Sequence, residues 1–133
     1  MDKFFINHRV TYKETDKMGV AYYSNYLVWF EICRTEYFRE KGYPYLKLEE
    51  KNIFLPVVEA YCRYKSPVTY DDEIKVCLSD IGVEGIRLKF TYLIKNKMNE
   101  ATVAKGCTTH VFIDKERRPL KVPPEINNIV EKT

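Results

Sequence analysis

"TYKETDKMGVAYYSNYLVWFE", residues 11–31, contains the change of pattern on which the fold turns. Residues 4–14 read as a strand entering this stretch. From about Asn25 the period becomes helical, with Tyr26, Phe30, Cys33 and Tyr37 at i, i+4, i+7 and i+11. Gly42 followed by Pro44 supplies the stop. The first turns of this helix, Tyr26-Leu27-Val28-Trp29-Phe30, are apolar all the way round, whereas Arg34 to Lys41 is amphipathic. A helix start without a polar face is expected to be buried on every side. A lone carboxylate, Asp16, stands just ahead of it, and Gly19 allows the intervening loop to turn sharply and hold that acid close.

Beyond Pro44 to Lys51, taken as a loop, the chain reads as strands at about 54–65, 73–81, 86–95 and 101–113. Turns fit at Pro67 to Asp72, Gly82 to Gly85 and Lys95 to Glu100, and the proline-bearing tail ends in a short helix. One long helix followed by an antiparallel run defines an α+β class, with the sheet wrapped around the helix. A length of 133 residues suits a single domain spanning 1–133, and 45% apolar with 31% charged residues is an ordinary globular composition. A net charge of +3, with both signs interspersed, argues against a nucleic-acid partner. The opening MDKFFINHRV is too weakly apolar for a secretory leader, and no run is long enough to span a membrane. Cys33, Cys62, Cys77 and Cys107 form no CxxC pair and read as reduced, packed thiols of a cytoplasmic protein.

The buried helix start bears on chemistry. Its first N–H groups lack internal partners and carry the positive end of the dipole. Ser24 and Asn25 are candidate caps, but a dry terminus facing a carbonyl is also an oxyanion site. No GxSxG elbow supports a Ser-His-Asp mechanism, and the only histidines, His8 and His110, lie in strand-like segments. No metal-ligand spacing and no glycine-rich phosphate loop is present, so neither metal nor cofactor is expected. One carboxylate plus one oxyanion site suits a substrate with a good leaving group. A thioester fits, because its thiolate has a conjugate-acid pKa of roughly 8.5 and departs without a strong general acid. The carboxylate would activate water or attack directly.

The stretch "YKETDKMGVAYYSNYLVWFEICRTEYFREKGY" resembles the signature of hotdog-fold acyl-CoA thioesterases of the 4-hydroxybenzoyl-CoA thioesterase and YbgC type. That signature runs Tyr-x-(Glu/Asp)-Thr-Asp-x-x-Gly-Val-x-Tyr-x-x-Asn-Tyr, then a helix with Phe-Glu-x-x-Arg. "YKSPVTYDDEIKV" (64–76) and "RRPLKVP" (117–123) extend the resemblance over about residues 8–124. It implies a hotdog fold, acyl-CoA hydrolysis and Asp16 as the catalytic carboxylate, either base or nucleophile. Tyr23 stands where many YbgC-type members have histidine and the 4-hydroxybenzoyl-CoA enzyme has tyrosine; there the backbone N–H polarises the thioester carbonyl. The resemblance further implies a homodimer or homotetramer and basic side chains that meet the coenzyme A phosphates.

Candidates for that last role come from the residues themselves. Arg87 and Lys89 alternate with Ile86, Leu88 and Phe90 and so share one strand face. Lys65, Lys105, Arg117 and Arg118 are further cations, each equally readable as a solvated surface charge. Asp71-Asp72 reads as a turn, and Trp29, Phe30, Phe54 and Tyr61 as core rather than acyl pocket. A dehydratase of this fold would want a histidine near the helix, and none lies between residues 9 and 109. The rival from another class is a non-catalytic acyl-thioester binding module of the same fold.

Overall fold

A computed structural model describes residues 2–133. Its elements are β1 (Phe4–Arg9), α1 (Asn25–Glu40), α2 (Tyr45–Glu50), β2 (Val57–Tyr64), β3 (Glu73–Glu84), β4 (Arg87–Asn96), β5 (Thr102–Val111) and α3 (Pro124–Glu131). The strands form one sheet in the order β1-β3-β4-β5-β2, antiparallel throughout. The α+β class expected from the sequence is therefore the one found.

The core lies between α1 and one sheet face. Alternate residues Ile74, Val76 and Leu78 of β3, and Leu88, Phe90, Tyr92 and Ile94 of β4, are buried against Trp29, Phe30, Cys33, Tyr37 and Phe38 of α1. Each fully buried phenylalanine contributes roughly 2 kcal/mol through the apolar area it removes from water. Phe30 stacks on Tyr92 at 4.2 Å between ring centroids, and Phe38 meets Phe90 edge-on at 5.7 Å. Gly106 in β5 makes this approach possible: a Cβ there would lie 2.6 Å from Phe30 Cε2 and would also collide with the Tyr61 carbonyl. The end of α1 is closed by Tyr43 N–H to Phe38 O at 2.9 Å and Gly42 N–H to Arg39 O at 3.0 Å, the paired bonds of a Schellman stop.

Several boundaries differ from the sequence reading. β1 ends at Arg9 rather than continuing to Glu14, because Tyr12–Glu14 forms a 3-10 turn whose Glu14 carboxylate receives the Thr11 N–H at 2.8 Å. The supposed loop after Pro44 contains α2, which buries Leu48. β3 runs on to Glu84, with Gly82 opposite Lys89, so the hairpin turn is only Gly85–Ile86. Phe54 lies outside β2 and is half-buried, and Tyr61 is 55% exposed rather than core. The start of α1 is not buried on every side. The sheet covers Tyr26, Trp29 and Phe30, while Leu27 (38%), Val28 (47%) and Ile32 (37%) face outward on this single chain. One helix can meet one sheet along only part of its circumference.

Candidate active site

Strand β1, the 3-10 turn and the start of α1 meet at a corner, and Asp16 sits in the loop that joins them. This loop folds back on itself: Asp16 N–H donates to Val20 O at 2.9 Å, and Gly19 N–H to Asp16 O at 3.0 Å. Gly19 takes φ +82°, which a residue with a Cβ adopts only under strain. Asp16 Oδ1 accepts the Met18 N–H at 2.8 Å, leaving Oδ2 without a hydrogen-bond partner among the described residues.

The returning strand of the loop leads directly into the helix. Ala21 N–H donates to Val68 O, and Tyr22 N–H to Glu14 O, both at 2.8 Å. Neither expected cap operates. Ser24 makes no side-chain cap bond, and the Asn25 amide reaches back to Glu14 O at 2.8 Å. Among the described residues, no hydrogen bond engages the N–H of Tyr23 or Ser24. The Tyr64 hydroxyl, pushed up to about 12 by burial first and then by the Cys62 thiol, stays a donor and bonds Tyr23 O at 3.2 Å.

Asp16, Tyr22, Tyr23 and Tyr26 line a cleft of about 330 Å³ whose far wall is Tyr64, Lys65, Ser66 and Pro67. Tyrosine rings dominate it: Tyr22 and Tyr23 lie 4.7 Å apart, and Tyr26 and Tyr64 4.9 Å apart. An acyl group bounded by such rings would meet apolar faces with polar rims. The cleft thus brings together an acid, Asp16, a residue ahead of the helix, Tyr23, whose N–H has no partner among the described residues, and one cation, Lys65.

Of the six cations singled out in the sequence, Lys65 alone lines this cleft. Lys89 projects from the opposite sheet face, beside Thr91, Lys105 and Cys107, and Arg87 shares that face. Arg117 and Arg118 lie in a turn near the C-terminus, where Arg118 pairs with Asp114 at 3.1 Å and Glu116 at 3.5 Å. Asp72 accepts the Thr69 N–H at 2.8 Å, as the turn reading required. Neither histidine pairs with a cysteine: His8 meets Glu14, and His110 meets Thr108. Among the described residues, no group of three or more His, Cys, Asp or Glu lies together as a metal site.

Glu14 is the residue that the sequence reading missed. Its carboxylate is buried and accepts the Thr11 N–H at 2.8 Å, the Trp29 Nε1–H at 2.8 Å and a bond with His8 Nε2 at 3.0 Å. Burial alone would raise its pKa, but the Thr11, His8 and Trp29 hydrogen bonds together outweigh that and hold the carboxyl below its ordinary value. The available signal was Thr11-x-x-Glu14, the spacing of a helix-start capping box.

An antiparallel sheet wrapped around one long helix is a hotdog fold, the class of the thioester hydrolases to which this chain is similar. The chain belongs to the thioesterase-like superfamily, whose family model matches residues 10–130. It is 32% identical over 122 residues to the acyl-CoA thioesterase YbgC of Haemophilus influenzae, covering 89% of this chain and 87% of that protein. A hypothetical protein of Aquifex aeolicus superimposes with a TM-score of 0.89 at 31% identity, over 96% of this chain and 98% of that one. The DHNA-CoA thioesterase of Staphylococcus aureus gives 0.90 at 28% identity, over 97% and 89%. Among the described residues, no helix is long and apolar enough to cross a membrane.

Proposed function

We propose that this protein hydrolyses acyl-CoA to the free acid and coenzyme A, with Asp16 as the catalytic carboxylate and the Tyr23 N–H as an oxyanion donor. The observation that carries this reading is the shared cleft: Asp16 and a helix-terminal N–H without an internal partner border the same space. The thioester carbonyl oxygen accepts the Tyr23 N–H, and negative charge developing there is stabilised by that donor and the helix dipole. Asp16 then removes a proton from attacking water, or itself attacks the carbonyl carbon to form an anhydride that water opens. In either case the C–S bond breaks and the thiolate takes up a proton from solvent. Lys65, at the cleft wall, is the cation best situated for a coenzyme A phosphate. Arg87, Lys89, Arg117 and Arg118 border no part of this cleft in the single chain.

The test is thiol release across short, long and aromatic acyl-CoAs by the wild type and Asp16→Asn. We expect turnover of at least one substrate and a loss of about a hundredfold or more in the folded variant, the scale of a lost general base. Turnover by Asp16→Asn within a few-fold of wild type would remove Asp16 from the chemistry. Saturable acyl-CoA binding without thiol release would identify the non-catalytic module instead.

A further inference from the structure

We infer that Glu14 is a positioning residue for this site: through His8, Thr11 and Trp29 it fixes the strand–helix corner that presents Asp16 and Tyr23. Each carboxylate oxygen is engaged. Oε1 takes the Thr11 N–H at 2.8 Å and His8 Nε2 at 3.0 Å. Oε2 takes the Trp29 indole N–H at 2.8 Å and lies 3.2 Å from the same His8 nitrogen. These partners come from β1, from the entry to the 3-10 turn and from the second turn of α1. The backbone of the same residue holds the other side of the corner, because Glu14 O accepts the Tyr22 N–H and the Asn25 amide, each at 2.8 Å. Asp16 lies two residues after Glu14, and Tyr23 follows Tyr22 directly. Both proposed reacting groups therefore extend from one buried anchor.

The carboxylate serves stability and orientation together: an apolar side chain in its place would leave the Thr11 N–H and the Trp29 indole N–H without their acceptor. What three directed hydrogen bonds add is a single orientation of the turn. An error of about an ångström in such a place costs on the order of a hundredfold in rate. Glu14 touches no lining residue's reactive atom, so it acts through Asp16 and Tyr23 rather than on substrate.

The kinetic arm of the test rests on the hydrolase reading; the spectroscopic arm does not. Trp29 is the only tryptophan, so its indole N–H resonance reports the Glu14 bond directly. Glu14→Gln keeps the shape but has one acceptor oxygen, so its NH2 must face the N–H of either Thr11 or Trp29. We expect the indole resonance and the amide resonances of residues 16–23 to move. We expect kcat to fall at least about fivefold while KM stays within about threefold, the pattern of lost transition-state geometry. Trp29→Phe removes one of the two donors that the amide would oppose. The double variant Glu14→Gln/Trp29→Phe should therefore have a kcat no lower than Glu14→Gln alone, whereas independent packing effects would add. Additive losses, a smaller fall in kcat, or unmoved resonances would each overturn the inference. Should Glu14→Gln fail to fold, Trp29→Phe alone decides it, by a kcat loss of more or less than about threefold. If the wild type releases no thiol from any acyl-CoA, the hydrolase reading fails on its own, and the resonances of residues 16–23 still judge the positioning role.

Discussion

At the residue scale, Tyr23 separates main chain from side chain. The residue is 60% exposed, and its N–H has no partner among the described residues. Tyr23→Phe should change the maximal rate by less than about tenfold, or ~1.4 kcal/mol. Tyr23→Pro deletes the N–H without breaking an internal bond and should cost about a hundredfold, the scale of one lost oxyanion donor. Circular dichroism establishes first that the proline variant is folded. A folded Tyr23→Pro with normal kcat would shift the donor to the neighbouring Ser24 N–H. Asp16 stands out in the sequence because loop, glycine and helix start are contiguous there, whereas Tyr23 is singled out only by the family resemblance. Glu14 does not stand out, since two of its partners, His8 and Trp29, come from other elements, and only folding shows that they converge.

At the element scale, β4 and β5 share a buried polar chain that makes stability depend on pH. Tyr92 Oη and Thr108 Oγ1 lie 2.7 Å apart, and His110 Nε2 meets the same Thr108 oxygen at 2.8 Å. His110 is fully buried, and its Nδ1 has no hydrogen-bond partner among the described residues. Burial first, and the Arg34 charge second, depress its pKa from 6.5 to about 4, although the Leu55 and Pro56 backbone favours the charged form. Between those values the unfolded chain binds a proton that the folded chain refuses. This contribution to stability is therefore complete above pH 6.5 and is lost progressively as the pH falls toward 4. Urea titrations should show a slope from this group approaching about 1.4 kcal/mol per pH unit within that window. His110→Gln should flatten the profile there, whatever its overall stability. An unchanged slope would mean that His110 is already protonated in the fold.

At the scale of the whole molecule, one chain leaves apolar surface uncovered. Leu27, Val28 and Ile32 share the outer side of α1, and the edge strand β2 exposes Val57, Val58 and Tyr61. An open strand edge with apolar neighbours is a template for pairing with another chain. We expect light scattering at micromolar concentration to give a homodimer or homotetramer, with closed symmetry. Val28→Glu should shift the population toward smaller species, because it places a charge on the face to be buried. A wild-type monomer with full activity would refute this assembly.

The local patterns that determined much of this protein are short in sequence range. The 3.6-residue period from Tyr26 to Tyr37, the Gly42–Pro44 stop and the alternation in β4 each reflect forces acting between near neighbours, and all three agree with the structure. Where a local signal was ambiguous, tertiary pairing decided. Gly82 resembled a turn residue but is held in β3 by β4, and "YLKLEE" became α2 because Leu48 is buried in the core. The same holds for the helix start: five apolar residues fix that it is buried somewhere, but the sheet selects Trp29 and Phe30 for the core and leaves Val28 outside. Composition specifies how much surface must leave water, whereas only the packed geometry specifies which side of each element does so. For the same reason Asp16 could be singled out from its sequence alone, while the bonds that hold it in position come from residues that meet only in the folded chain.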